Sequence, residues 1–386
     1  MTDAFRIARL DVYALEAKIT TPVATSFGSM SSRVSALLRI EDADGHAGWG
    51  ELWGNFPSIT CAYRAKLAGQ VLPEPLLGAK VETPGAFCIQ LADRLRVLAV
   101  QSAEPGPIAS ILAATNQALW DLAARRRGLP LRRALNENAA ETVPVYASGL
   151  NPTDSVEMAV RAREAGHRAF KAKIGFGDEV DRRNLHGLRI MLKEDEQLFV
   201  DANQRWSLAE AIARIPMLEA AEVDWWEEPM LAEASPGDWG VLRGSTMIPL
   251  AGGENLRDMG AFRTAFSYLE YVQPDIGKWG GVDGCLAIAR SALEHDCTYC
   301  PHWLAGGVGL MHSAHVLAAA GGDGRLEVDA NPNPLRTRVI DPATGIFEGN
   351  LHMVDAPGIG IESPVDDLSE FVTMHESFVA SGDRRM

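Results

Sequence analysis

The stretch "AREAGHRAFKAKIG", residues 162–175, decides the fold. Its first half closes an amphipathic helix, and its second half alternates apolar and basic residues as a strand does. Side chains at i and i+2 of a strand share a face, so Lys171 and Lys173 stand side by side, opposite Ala172. A helix leading at once into a short apolar strand is the entry to a buried parallel strand. Two like charges there lower the stability of any fold, so their presence asks for a chemical reason. The rival explanation is a surface strand with two solvated lysines.

Outward from this stretch the same unit recurs. Strand-like runs occur at "TVPVYASG" (142–149), "LFVDANQ" (198–204), "VDWWEEP" (223–229), "IPLAGGEN" (248–255), "YVQPDIG" (271–277), "CTYCPHW" (297–303) and "RLEVDA" (325–330). Between them lie amphipathic segments such as "DSVEMAVRAREAG", "LAEAIARIPMLEAA" and "GCLAIARSALEHD". Strands alternating with helices predict a parallel sheet, and eight units point to closure into a TIM-type barrel. An open doubly wound sheet is the main rival, but no GxGxxG follows the first strand.

The segment before Thr142 reads differently. "FRIARLDVYALEA" and "VSALLRIEDADGHAGWGELW" have the pattern of antiparallel strands, with "DADG" as a hairpin turn. "IASILAATNQALWDLAARRRG" reads as a helix stopped by Gly128 and Pro130. Residues 1–135 are therefore expected to form an α+β capping domain and residues 136–338 the barrel with the active site. Residues 339–386 return to strand and turn signals and are expected to pack back on the capping domain.

The chain has 386 residues, 47% hydrophobic and 23% charged, as in an ordinary globular protein. A formal charge of −15 argues against nucleic acid or an anionic membrane surface as partner. It also requires local positive charge to attract an anionic substrate. No run approaches the roughly 18 apolar residues of a membrane span, and the first residues lack the pattern of a signal peptide. Five scattered cysteines make no disulfide framework, and Cys297 and Cys300 form a CxxC inside an expected strand with no second pair. A cytoplasmic setting is expected.

Chemistry in such barrels sits where strands end. The ends of successive strands carry Lys171 and Lys173, Asp201 and Asn203, Glu227 and Glu228, Glu254, Asp275 and Lys278, His302, and Glu327. Consecutive entries from Lys173 to Glu327 lie 21 to 28 residues apart, about one βα unit, and so converge on one rim. Asp201, Glu227 and Glu254 form a set of hard oxygen donors, which suits Mg2+; no His or Cys accompanies them, which disfavours zinc. Any single carboxylate could instead cap a helix or pair with an arginine. A lysine beside a second cation, partly removed from water, has its pKa lowered and becomes a base near neutral pH. Lys173 fits that role, with Lys171 as the neighbour. Asp275 and His302 fit a carboxylate–imidazole dyad. His312 and His315, within a helical run, read as structural.

The ordered set "KAK", "DAN", "EEP", "GEN", "PDIGKWGG", "PHW" and "LEV" resembles the enolase superfamily, specifically its mandelate racemase-like subgroup, over nearly the whole chain. The resemblance implies a modified (β/α)7β-like TIM barrel with a capping domain. It also implies Mg2+-dependent removal of the proton α to a carboxylate through an enediolate, on a small-molecule carboxylate substrate. By this analogy Asp201, Glu227 and Glu254 hold Mg2+, Lys173 is the base on one face, and the His302–Asp275 dyad serves the other. Lys171 assists at the substrate carboxylate, Asn203 contacts the α-substituent, and Glu327 hydrogen-bonds a carboxylate or enediolate oxygen. Lys278 falls where the muconate lactonizing subgroup places a second catalytic lysine. Arg205 ranks below these as a substrate contact.

Dehydration of an acid sugar to a 2-keto-3-deoxy acid is the leading expectation. A 2-hydroxy-acid racemase or epimerase is the alternative, and a catalytically silent metabolite-binding barrel is a third. Loops at Thr20–Arg33 and Trp49–Thr60 are expected to close over the barrel mouth, with Trp53, Asn55 and Phe56 lining the pocket. These aromatic residues point to a substrate less polar than a long sugar acid. A homo-oligomer is expected from the resemblance.

Overall fold

The computed structural model describes residues 4–25 and 28–380. Strand β1 (Phe5–Thr25) pairs antiparallel with β2 (Gly28–Asp42), β2 pairs with β3 (Ala47–Leu52), and the short β4 (Lys80–Val81) joins β1. The β2–β3 hairpin turns at "DADG", where Asp42 Oδ1 accepts from the amides of Asp44 and His46 at 2.9 Å each. Leu10, Val12, Ala14, Leu38 and Ile40 form one buried face. Helix Pro105–Arg126 closes that face through Ile111, Ala114, Ala118 and Leu122. The helix comes so near β3 that a Cβ at Gly50 would lie 2.0 Å from the Ala114 carbonyl oxygen, so only glycine fits.

Thr20–Arg33, expected as a loop, is largely strand: Val23 pairs with Met30 and Ala24 with Ser29 after an irregularity beyond Lys18. Ser and Thr in that stretch suit a pleated strand as well as a loop, which is why composition misleads there. Ser26 and Phe27 of this stretch lie outside the described residues.

Eight parallel strands follow: β5 (Thr142–Leu150), β6 (Ala169–Lys173), β7 (Gln197–Asp201), β8 (Trp225–Glu227), β9 (Leu250–Gly252), β10 (Tyr271–Val272), β11 (Thr298–Tyr299) and β12 (Leu326–Asp329). Each pairs with the next from β5 to β11, and β12 returns to pair with β5, Leu326 opposite Val145. No ladder joins β11 to β12 among the described residues; there the Arg325 amide donates to Cys300 Sγ at 3.4 Å. Helices lie between consecutive strands, and β12 is followed directly by only a single helical turn, Pro334–Thr337, before the tail, giving a (β/α)7β arrangement.

Strand alternation sorts the side chains. Phe170, Val200, Trp226 and Leu250 face outward onto the helices, while Tyr146, Phe199, Trp225 and Cys300 fill the interior. Phe199 stacks on Trp225 at 3.7 Å. The same inward register, carried to the strand ends, sets Lys171, Lys173, Asp201 and Glu227 on top of this aromatic plug. No described helix is long and apolar enough to cross a membrane.

The tail divides. The hairpin of β13 (Gly345–Phe347) and β14 (Asn350–His352) adds to the barrel, β14 running antiparallel to β5 with Asn350 opposite Pro144. Only β15 (Val372–Val379) joins the capping sheet, beside β1. Residues 359–362 also meet the capping domain, through Asp121, Arg125 and Trp49, so the expected packing holds for these and for β15 but not for the hairpin; residues 381–386 lie outside the described residues. Short hairpin strands carry no label for the sheet they will join, whereas eight-residue β15 has the length to extend the capping sheet.

The capping domain is keyed into the barrel rim by polar groups. Glu51 of β3 accepts from Ser35 Oγ at 2.6 Å and from the amides of Gly306 and Gly309 at 2.7 and 2.9 Å, capping helix Gly307–Ala320. Arg33 pairs with Asp329 in the buried interior.

Candidate active site

The two lysines have different partners. Lys171 Nζ lies 2.5 and 2.6 Å from the Glu227 oxygens, 2.8 Å from Glu327 and 3.9 Å from Asp201. Lys173 Nζ lies 2.5 Å from Asp201 Oδ2 and 2.9 Å from Asn203 Oδ1. Burial lowers the proton affinity of both amines, but the carboxylates outweigh it, and both pKa values stand above the ordinary lysine value. In this arrangement of side chains Lys171 depresses the Lys173 amine, as expected, but Asp201 raises it by more. An i, i+2 spacing reveals the neighbouring amine and conceals the cross-strand acid at the end of β7.

Glu327 is fixed from three sides, by Lys171, by Ser148 Oγ at 2.5 Å and by the Trp303 amide at 3.0 Å. Glu227 also takes the Gln273 amide at 2.5 Å. Glu254 is reached by Lys278 at 3.1 Å, by Asn255 Nδ2 at 3.1 Å and by His302 Nε2 at 2.6 Å. Glu228, which strand alternation turns outward, has φ +38° at the end of β8 and lines the cavity instead. There it accepts from Asn255 Nδ2 at 2.8 Å.

Among the described residues no three acidic, histidine or cysteine side chains stand close enough to hold a metal ion directly. Lys171, Lys173 and Lys278 take up the carboxylates instead. The donor chemistry nevertheless fits a hard divalent cation, since all the candidate ligands are oxygens. Burial pushes Glu227 up to about 8, and burial with the charges of Glu254 and Asp201 pushes Glu228 up to about 8. In the bonded cluster Asp201, Glu227, Glu228, Glu254, Asp275 and Glu327 face Lys171, Lys173, Lys278 and His302. With all six carboxylates ionised, two negative charges would remain against these four cations; the raised pKa values of Glu227 and Glu228 mean that protons neutralise them here, a place that one divalent ion could take.

His302 Nδ1 lies 2.6 Å from Asp275 Oδ2, and a parallel β-bridge joins the two residues. Asp275 is itself oriented by the amides of Gly277 and Lys278, at 2.9 and 2.8 Å from Oδ1. Burial disfavours the imidazolium, but Glu254 and Glu327 outweigh it and raise the pKa to about 10. His312 and His315 take no part: His312 Nε2 meets the Trp49 carbonyl at 2.8 Å and His315 Nδ1 accepts the Arg132 amide at 3.0 Å. Cys297 and Cys300 are buried free thiols.

These groups open on a cavity of about 330 Å3 lined by Trp53, Phe56, Asn203, Glu254 and Lys278, with Gln204, Glu228 and Asn255 beside them. Trp53 packs on His302, ring centroids 5.4 Å apart, and under Lys278 Nζ at 4.4 Å. Lys278 thus enters the site. Asn55 does not line the cavity; its Nδ2 donates to the Leu304 carbonyl at 2.9 Å and ties the aromatic loop to the barrel. The expectation of a less polar pocket is also corrected. Arg64, Ser110 and Arg257, which the strand-end pattern could not reveal, share the wall with the amides and acids named above.

An acidic strand-end cluster beneath a capping domain, with lysines on one strand and a histidine dyad across the mouth, defines a barrel enzyme of carbon-acid chemistry. The mandelate racemase/muconate lactonizing enzyme N-terminal domain model matches residues 9–135, and the enolase C-terminal domain-like model matches residues 154–367. The chain belongs to the mandelate racemase/muconate lactonizing enzyme family of the enolase superfamily. A D-galactarolactone cycloisomerase from Agrobacterium fabrum is 30% identical over 95% of this chain and 98% of its own length. The crystal structure of a mandelate racemase/muconate lactonizing enzyme from Bordetella bronchiseptica superposes with a TM-score of 0.88 at 39% identity, covering 95% of this chain and 99% of that one. A racemase from Streptomyces coelicolor with bound magnesium superposes at 0.84 with 25% identity, covering 95% of this chain and all of that one. Further relatives include acid-sugar dehydratases and a dipeptide epimerase. Members of the superfamily use Mg2+.

Proposed function

We propose that this enzyme removes the proton α to the carboxylate of an acid sugar and expels the β-hydroxyl, giving a 2-keto-3-deoxy acid. The observation that supports this reading is that Lys173 and the Asp275-held His302 each bond a residue lining the same cavity, Lys173 to Asn203 at 2.9 Å and His302 to Glu254 at 2.6 Å. Asp201, Glu227 and Glu254 would hold Mg2+, with Glu228 at hand beside Glu254. The ion supplies positive charge to the oxyanion that develops as the proton leaves.

The chain's own groups do the rest. Lys173 takes the α-proton, because its amine stands beside the cavity-lining Asn203 while Lys171 is enclosed by Glu227 and Glu327. Lys173 would lose its hold on Asp201 if that carboxylate served as a ligand of the ion, and its amine would then be under the influence of Lys171. Lys171, held by Glu327, presents positive charge to the substrate carboxylate. His302, with Nδ1 fixed by Asp275, offers Nε2 to the departing hydroxyl. Asn203 contacts the α-substituent.

A second reading is isomerisation, favoured by the cycloisomerase that is similar over nearly the full chain and by acid/base groups on both faces. Incubation with Mg2+ and a panel of acid sugars and their lactones in D2O separates the two. Dehydration gives a 2-keto acid, detectable with semicarbazide, whose mass is lower than the substrate's by one water; ring-opening isomerisation of a lactone gives a 2-keto acid without loss of water, and epimerisation gives an α-deuterated product with no keto group. An α-proton that is retained in every compound contradicts both.

His302→Asn is expected to lower kcat by about 100-fold or more, within the range for loss of a general acid. Lys278→Met should cost less, since this reading gives the acid role to the imidazole that Asp275 holds from behind. The reverse order of effects, measured by steady-state kinetics, would transfer the acid role to Lys278.

A further inference from the structure

On the capping-domain side of the cavity two guanidinium groups share one wall. Arg64 comes from helix Ile59–Val71 and Arg257 from the loop after β9. Arg64 donates to the Trp53 carbonyl and, at 3.5 Å, to Ser110 Oγ, while its Nε is buried with no hydrogen-bond partner. Arg257 is exposed on the rim and lies against Gly106, where a Cβ would stand 3.2 Å from its Nη1. Among the described residues neither arginine has an ion-pair partner. The nearby acid Glu104 takes the Tyr63 hydroxyl. Elsewhere in the chain enclosed arginines do find carboxylates: Arg33 with Asp329, Arg126 with Asp42, Arg132 with Asp355 and Arg163 with Glu196.

Arg64 also feels the charges of Asp275 and Glu104, but neither is bonded to it, and Arg257 repels it. Burial and then the charge of Arg257 lower the proton affinity of Arg64, which shows that the two groups feel one another. The positive end of helix Pro105–Arg126 begins at the same wall, at Gly106. In a chain of net charge −15, this is a concentrated patch of the opposite sign facing the reaction cavity. Guanidinium forks match the paired oxygens of a carboxylate or phosphate.

We propose that the substrate carries two anionic ends: the reacting α-hydroxy carboxylate at Lys171 and Lys173, and a second oxyanion, carboxylate or phosphate ester, at Arg64 and Arg257. The matching classes are aldaric acids and phosphorylated aldonic acids. The position of the first end rests on the reading given under Proposed function.

The test compares the Mg2+-loaded enzyme with a series of C4–C6 aldaric acids including galactarate, with 6-phosphogluconate, and with the corresponding aldonic acids, by calorimetric Kd and by kcat/KM. At least one dianion should be favoured over its monoanionic counterpart, and Arg257→Ala should reduce that preference by about 10- to 100-fold, chiefly through Kd and KM. Arg257→Lys should recover part of it. Arg257 is the cleaner probe because Arg64 also braces the Trp53 loop. Whichever of galactarate and 6-phosphogluconate binds tighter identifies the second group. Equal affinity for monoanions and dianions overturns the proposal, as does failure of every dianion to bind or a preference untouched in Arg257→Ala. A dianion preference that disappears in Arg257→Ala, with no α-proton chemistry on any acid, would remove the reaction proposed above and leave the two-anion site standing.

Discussion

Chelation with EDTA is expected to lower turnover by more than about 10³-fold, and excess Mg2+ is expected to restore it. A proton next to a carboxylate is very weakly acidic, and loss of a divalent cation at the developing oxyanion forfeits several kcal/mol, each ~1.4 kcal/mol being tenfold in rate. The chain's own geometry adds a second penalty. Without a cation to engage Asp201, the Lys173 amine rests 2.5 Å from that carboxylate as a charged partner and is not free to accept a proton. Undiminished rates in chelator, measured after dialysis against EDTA, would contradict the metal assignment.

Lys173→Ala is expected to lower kcat by about 10²- to 10⁴-fold, the range for loss of a general base. The fold should survive, because Asp201 keeps the Asn203 amide at 2.7 Å and its Nδ2 at 3.0 Å. Lys171→Ala should behave differently. It strips the ammonium from the fully buried Glu227 and Glu327, which costs about 3–5 kcal/mol when a buried pair is broken. Thermal melts alongside kcat therefore separate the two lysines: Lys173 fails in rate, Lys171 in stability as well. Equal melting losses in both variants, or full activity in Lys173→Ala, would remove this division of roles. Two adjacent lysines are tolerated in the barrel because each faces its own acid.

The parts of the site legible in the sequence are those that follow the strand period. Asp201, Glu227, Glu254, Asp275, His302 and Glu327 recur at one βα unit, so counting brings them to one rim. What escaped that count departs from the period. Gln204, absent from that count, has φ +62°, and Glu228, seen at a strand end but turned outward by alternation, has φ +38°; these turns bring both to the cavity. Arg64 and Ser110 belong to capping helices whose docking is set by tertiary packing, with no local signal. Asn55 was misassigned because loop membership does not say which way an amide points. The capping sheet was legible where β1, β2 and β3 alternate. The destination of β13 and β14 was not, since a three-residue strand fits any free edge.

The most direct test is isothermal titration of Mg2+ into metal-free enzyme, wild type beside an Asp201→Asn, Glu254→Gln double variant whose fold is checked by circular dichroism. One saturable site per chain in the wild type, lost in the double variant, is the predicted result. No saturable binding in the wild type, or the same site in both proteins, would contradict it.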